Sequence, residues 1–266
     1  MMALRADLVR LWQARSLLWV LVRREVASRH AGSAGGVMWL YAQPLLTVAA
    51  YYLVFDVVFA MRLAESAPTR AAGAYLIVGS LPWMAFGDAL GRGMNSLLDS
   101  GHLLQKNPIP PVLLPVRSVL SSLRIFGPLL LLMVLLYAPN HRFSLPVISV
   151  LPLVLAECLM VLLLGYLLAI AAAALRDTVQ VVTFILSIGI YMSPVLFPMD
   201  MFPKDWSWVL WANPMTPIVL GFQQVLLKGA WPPLPVWGAL LAWIAVFATL
   251  LNLAIARSRD ELVDWL

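Results

Sequence analysis

The sequence predicts an all-α integral membrane protein. It has six transmembrane helices, an amphipathic interfacial helix at the N-terminus, a short cytoplasmic helix after the second span and a re-entrant segment before the last span. Three observations carry this reading. Hydrophobic residues make up 62% of the 266 residues and charged residues only 12%, with a mean hydropathy of +0.88, which leaves a water-soluble domain too little polar surface. Several apolar runs reach the roughly 20 residues that cross a hydrocarbon core about 30 Å thick. Basic residues crowd ahead of the first of these runs.

Residues 1–36 form the cytoplasmic and interfacial N-terminal part. Leu8, Leu11, Trp12, Arg15, Trp19 and Val22, with Arg5, Arg10 and Arg23 between them, suit a helix lying along the membrane surface. Ser16–Val22 is short, and Arg23, Arg24 and Glu25 stand where a cleavage site needs small residues, so no cleavable signal peptide is expected. The bundle, residues 37–256, has spans at Val37–Phe59, Tyr75–Leu97, Val112–Tyr137, Pro146–Leu175, Thr178–Phe197 and Val236–Ala256. Pro128 is a candidate bend in the third. Between the fifth and sixth, prolines fence an apolar run, Val219–Leu227, that is too short to span and reads as re-entrant or interfacial on the outer face. Residues 257–266 form a tail.

Orientation follows from the lysine and arginine bias. Arg5, Arg10, Arg15, Arg23, Arg24 and Arg29 precede the first span, and Arg257 and Arg259 follow the last. Both termini are therefore expected in the cytoplasm, with Lys106 and Arg176 on cytoplasmic loops and Arg142, Lys204 and Lys228 outside. The net charge of +5 is a consequence of this topology beside an anionic inner leaflet, not a nucleic-acid footprint.

The residues offer little catalytic chemistry. Cys158 is the single cysteine and falls inside a span. His30, His102 and His141 sit in separate flanks and loops without metal-ligand spacing. The glycines of Gly32-Ser33-Ala34-Gly35-Gly36 lack the lysine of a phosphate-binding loop, so the chain has no nucleotide site of that kind. Charges within spans are the remaining pointers, because each costs about 2.5–3.5 kcal/mol at the bilayer centre. Asp88 and Arg92 are spaced as an intrahelical pair. Arg117 has the position of a snorkelling residue, whereas Arg124 and Glu157 are expected to be buried charges. Glu157 either pairs with Arg124 or lines a polar path.

Aromatic side chains supply a different surface. Tyr51, Tyr52, Phe55, Trp83, Phe86, Phe184 and Tyr191 fall within spans, and aromatic faces suit sugar rings; interfacial belts and helix packing account for most such residues. On the loop from Asn95 to Pro108, exposed Leu98, Leu103 and Leu104 would be costly. They dock either into a partner or onto the chain's own bundle.

Motifs in order along the chain carry a family resemblance. They are Arg23-Arg24-Glu25 with Arg29-His30, Gly36-Val37-Met38-Trp39, Gln43-Pro44-Leu45, Lys106-Asn107-Pro108-Ile109-Pro110-Pro111, Leu175-Arg176-Asp177, Tyr191 to Pro198, and Asn213-Pro214-Met215-Thr216-Pro217. The chain resembles the membrane subunit (permease) of type-2 ABC exporters, in the branch that exports O-antigen, capsule or teichoic acid chains. The resemblance implies a half-transporter in the bacterial inner membrane: a second copy of the chain, two copies of an ABC ATPase that hold ATP and Mg, and a lipid-linked polysaccharide. No cofactor is expected in this chain, and its remaining partners are membrane lipids.

The resemblance also suggests roles for particular residues. Leu98, His102, Leu103, Leu104 and Lys106 would contact the ATPase as a coupling helix. Trp12, Arg15, Trp19, Arg23 and Arg24 would belong to a gate helix. Tyr51, Phe55, Trp83, Phe86, Phe184 and Tyr191 would line the substrate channel. His30 departs from the family's usual aromatic residue, and Gln223-Gln224 from its acid and arginine. An exporter of drugs or lipids is the nearest alternative. A secondary transporter would need internal repeats, and an intramembrane transferase a catalytic cluster; neither is found in the sequence.

Overall fold

The computed structural model describes residues 2–106, 109–258, 262 and 265. Asn107 and Pro108 of the first cytoplasmic loop, and Arg259 with most of the tail, lie outside the described residues.

Twelve α-helices follow one another among the described residues. Helices α1 (Met2–Gln13) and α2 (Arg15–Ser28) make up the N-terminal part. Helix α3 (Met38–Tyr51) continues as a π-helical stretch, Tyr52–Val58, so the first expected span is nearly continuous. Asp56 near its end accepts a 2.9 Å hydrogen bond from Gly73 N–H in the first turn of α4 (Ala72–Asp99), where an anion is favoured by the helix dipole. Helix α5 (Gly101–Lys106) links α4 to α6 (Leu113–Leu136), which runs unbroken through Pro128. After α7 (Ala138–His141), a 3₁₀ turn at Leu145–Ser149 leads into α8 (Val150–Ala174). Helices α9 (Asp177–Gly189), α10 (Ser207–Trp211), α11 (Thr216–Lys228) and α12 (Leu234–Ser258) complete the chain.

Four segments among the described residues are both long and apolar enough to cross a membrane: Met38–Val58, Leu113–Leu136, Leu145–Ala174 and Leu234–Ser258. They correspond to the first, third, fourth and sixth expected spans. The second, Tyr75–Leu97, lies inside α4, which has 28 residues and is therefore about 42 Å long. Length suffices there, but Asp88, Arg92 and Asp99 lower its apolarity.

The fifth span, expected over Thr178–Phe197, is helical only to Gly189. Pro194 disfavours helical backbone at the residue before it, and the carbonyls freed beyond α9 are taken by side chains. Asn213 donates to Gly189 O (3.0 Å) and Met192 O (3.3 Å). Tyr75 donates to Pro194 O (2.9 Å) and Phe197 O (3.1 Å), and Gln223 donates to Pro194 O (2.8 Å). Irregular backbone at such depth requires partners of this kind.

Helix α4 is the centre of the bundle and packs against α6, α8 and α11, while α12 lies against α8 and α11. Gly93 and Gly165 let α4 and α8 approach closely: a Cβ built on either would stand 3.4–3.5 Å from the other glycine's Cα, as small residues permit at membrane helix crossings. The run read as re-entrant is the core of α11. Pro217 lies in its first turn, Gly229 ends it in the left-handed region (φ +63°), and most of its side chains are buried. It is packed into the bundle against α4, α8 and α12.

Candidate functional site

Two regions gather the chemistry. The first is a cleft of about 480 Å³ between α4, α8, α9 and the segment around Asn213. Trp83 and Phe86 project into it from successive turns of α4, with ring centroids 6.1 Å apart, and Phe184 lies along its edge. Gly189 makes room for Trp83, since a Cβ there would come within 2.9 Å of the indole. Leu164, Leu168, Val182 and Leu186 complete an almost wholly apolar lining, in which Asn213 supplies the amide.

The other channel candidates are arranged differently. Tyr51, Phe55 and Phe59 form an edge-on ladder along the first span, with centroids 6.2 and 6.1 Å apart. Tyr191 is exposed in the segment after α9, near enough to Tyr51 to interact electrostatically.

The second region lies where α2 meets α4 and α6. Arg29, the residue that ends α2, is an almost fully buried guanidinium. It donates to Asp88 Oδ2 (3.1 Å), Ser121 Oγ (2.8 Å) and Ser122 Oγ (3.1 Å), and stands 3.8 Å from Glu25. Arg92 reaches the other Asp88 oxygen at 3.1 Å, and Ser122 also donates to Asp88. Glu25 pairs with Arg117 at 2.5 Å and accepts from Ser121 at 2.9 Å. Burial is the largest influence on Arg29 and lowers its pKa; Asp88 and Glu25 act in the opposite direction. Two acids thus balance two buried arginines, the arrangement that makes enclosed charge tolerable.

Sequence reasoning found the Asp88–Arg92 pair but missed its extension to α2. The available signal was the Glu25/Arg29 spacing together with adjacent serines in an apolar helix. Arg117 does not snorkel; Glu25 holds it against the bundle. Arg124, expected to be buried, is exposed and forms no ion pair among the described residues, so the Glu157 pairing is not made. Glu157 is buried beside a cavity of about 30 Å³ that Ser122 and Cys158 also line, and its Oε2 finds no hydrogen-bond partner among the described residues.

The gate-helix residues divide. Trp12, Trp19, Arg23 and Arg24 are exposed, and Arg15 stacks on Trp12 at 5.2 Å. Leu18, Leu21 and Val22 face the bundle. A second anchor joins α1 to α8, where Tyr166 donates to the buried Asp7 at 3.2 Å.

Of the two readings for the leucines of the α4–α6 connection, docking into a partner or onto the chain's own bundle, the structure shows them at least partly covered by the bundle. Leu104 is buried and Leu98 and Leu103 are half-buried, which leaves His102, Gln105 and Lys106 as the outward surface of α5. Packing onto its own bundle is the physical reason.

Residues 16–227 match the family described as ABC-2 type transporter. The chain belongs to that family. This ABC-2 chain is 31% identical, over 94% of its own length and 95% of the relative's, to the O-antigen export system permease protein RfbA of Myxococcus xanthus. A protein of the same name from Klebsiella pneumoniae is 22% identical over 80% of this chain and 81% of its own length. The polysialic acid transport protein KpsM of Escherichia coli is 23% identical over 91% and 92%. The aromatic cleft and the buried charge cluster fall within the ABC-2 match, whereas Asp7 precedes it.

Proposed function

We propose that the chain is the permease subunit of an ATP-driven exporter that moves a lipid-linked polysaccharide, of O-antigen or capsular type, from the cytoplasm across the bacterial inner membrane. The observation that carries this reading is the end-to-end similarity to an O-antigen export permease, which covers nearly the full length of both chains. Two copies of the chain pair, and two copies of a separate ABC ATPase, holding ATP and Mg, drive them. The chain contributes no ATPase site of its own. Helices α4 and α9, with its continuation to Phe197, add to the four apolar spans to make six, with both termini in the cytoplasm and α5 facing the ATPase.

The chemistry favours this reading. A glycan does not dissolve in hydrocarbon, so its path needs a lining, and no bond is broken on the way. Trp83, Phe86 and Phe184 offer ring faces that hold a sugar weakly and release it. The exposed polar face of α5 suits a soluble partner.

Gentle purification of the tagged chain from its native membranes tests the proposal. A near-stoichiometric ABC ATPase is expected to come with it, and deletion of the gene is expected to strip the cell surface of polysaccharide. Transport by the chain with no ATPase present would overturn the reading. Normal surface polysaccharide together with loss of drug or lipid efflux would move the substrate to that class.

A further inference from the structure

Helix α5 is built onto Ser100, whose carbonyl accepts from the N–H groups of Leu103 (2.9 Å) and Leu104 (3.2 Å). Ser100 therefore moves with α5. Its hydroxyl accepts from the Arg117 guanidinium at 3.4 Å. Arg117 in turn meets Glu25 of α2 at 2.5 Å, and both side chains are largely withdrawn from solvent, at 15% and 11% exposure. One planar guanidinium thus spans the start of α5, by hydrogen bond through Nη2, and the last turn of α2, by ion pairing through Nε, a breadth that a point charge lacks.

Beside that contact α2 and α5 face one another across open space. A cavity of about 290 Å³ lies between them, lined by Leu21, Arg24 and Ser28 on one side and His102 and Leu103 on the other. With space between the helices, a displacement of α5 reaches α2 through the bridge. One helical turn further on, Arg29 delivers α2 onto Asp88 and Ser122 of the central bundle.

We propose that Arg117 and Glu25 are positioning residues that link α5 to the N-terminal helix pair, so that movement of α5 shifts α2 along with α4. This rests on the reading of the chain as an ATPase-driven permease with α5 at the ATPase surface. The link is intramolecular, and its role is to keep ATP hydrolysis tied to transport.

The test uses the assembled complex with its ATPase. Glu25→Gln and Arg117→Gln remove the ion pair, Arg117→Lys keeps the charge without the fork, and Glu25→Arg combined with Arg117→Glu reverses the pair. Co-purified ATPase, ATP hydrolysis and surface polysaccharide are measured for each. In the two glutamine variants, ATPase binding and hydrolysis are expected to stay near wild type while export falls by roughly tenfold, within the usual range of coupling between sites. Arg117→Lys should give an intermediate loss, and the reversed pair should recover most of the export. Normal export in both glutamine variants overturns the proposal. So does loss of ATPase binding in proportion to export without recovery in the reversed pair, which would make the contact merely structural. Absence of ATPase from the wild-type preparation would instead remove the underlying permease reading.

Discussion

Asp88 shows how much a single side chain can hold in this bundle. It binds Arg29 and Arg92 and receives Ser122, so Asp88→Asn leaves the buried Arg29 with its two serine acceptors and, as its one remaining acid among the described residues, Glu25 at 3.8 Å. Breaking one partner of a buried pair costs about 3–5 kcal/mol. Asp88→Asn is expected to lower thermal stability sharply, measured by unfolding of the detergent-solubilised chain. Glu157 should behave in the opposite way. Its carboxylate lacks a described partner at Oε2, and burying an uncompensated charge is unfavourable, so Glu157→Gln is expected to leave the melting temperature unchanged or raise it. A clear fall would mean that its charge is needed. At this scale the sequence was partly legible. Asp88 and Arg92 announce themselves because partners four apart share a helix face. Glu25 and Arg117 do not, because their contact depends on how α2 docks against α6. Arg124 misled for the same reason: spacing places it on the face of Arg117, but no acid among the described residues pairs with it.

Individual elements were legible where apolarity and length coincide. The cores of α3, α6, α8 and α12 lie within the spans read from the sequence, with ends that shift by a few residues. In the fifth the apolar run and the helix have different lengths: hydropathy continues to Phe197 while the helix stops at Gly189. Pro194 was the visible warning, and the roles of Tyr75, Asn213 and Gln223 were not readable without the fold. Tyr75→Phe removes the donor to Pro194 O and Phe197 O. It is expected to cost about 1–3 kcal/mol, checked by the same unfolding measurement. The α4–α8 crossing predicts a size threshold. Gly93→Ala meets ordinary contact distances and should be tolerated, whereas Gly93→Leu overpacks the crossing and should cost at least about 1–3 kcal/mol. Equal stability of the two variants would contradict this crossing.

Across the whole molecule, apolar surface is distributed unevenly. Helix α9 buries none of its residues, and the first span is largely exposed along Leu45, Leu46, Leu53 and Val57. Lipid and the proposed second copy are what such faces are suited to meet. Native mass spectrometry of the gently extracted complex should therefore find two copies of this chain with two ATPase subunits; one copy of each would refute the pairing. The membrane class and the order of the long helices were legible from composition, because hydrocarbon imposes length and apolarity directly. The aromatic cleft was legible only as a set of ring types, since its walls come from helices far apart in sequence. The short α9 has a consequence for biogenesis. Its 13 residues reach about 20 Å, less than the hydrocarbon thickness. Tyr75 is already available to Pro194 O and Phe197 O, but the donors to Gly189 O and Met192 O, and the second donor to Pro194 O, come from Asn213 and Gln223, which are synthesised later. During translation the carbonyls at the end of α9 therefore wait for their partners until the segment from Asn213 through α11 has been made, so this stretch is expected to settle together with α11 and not before it.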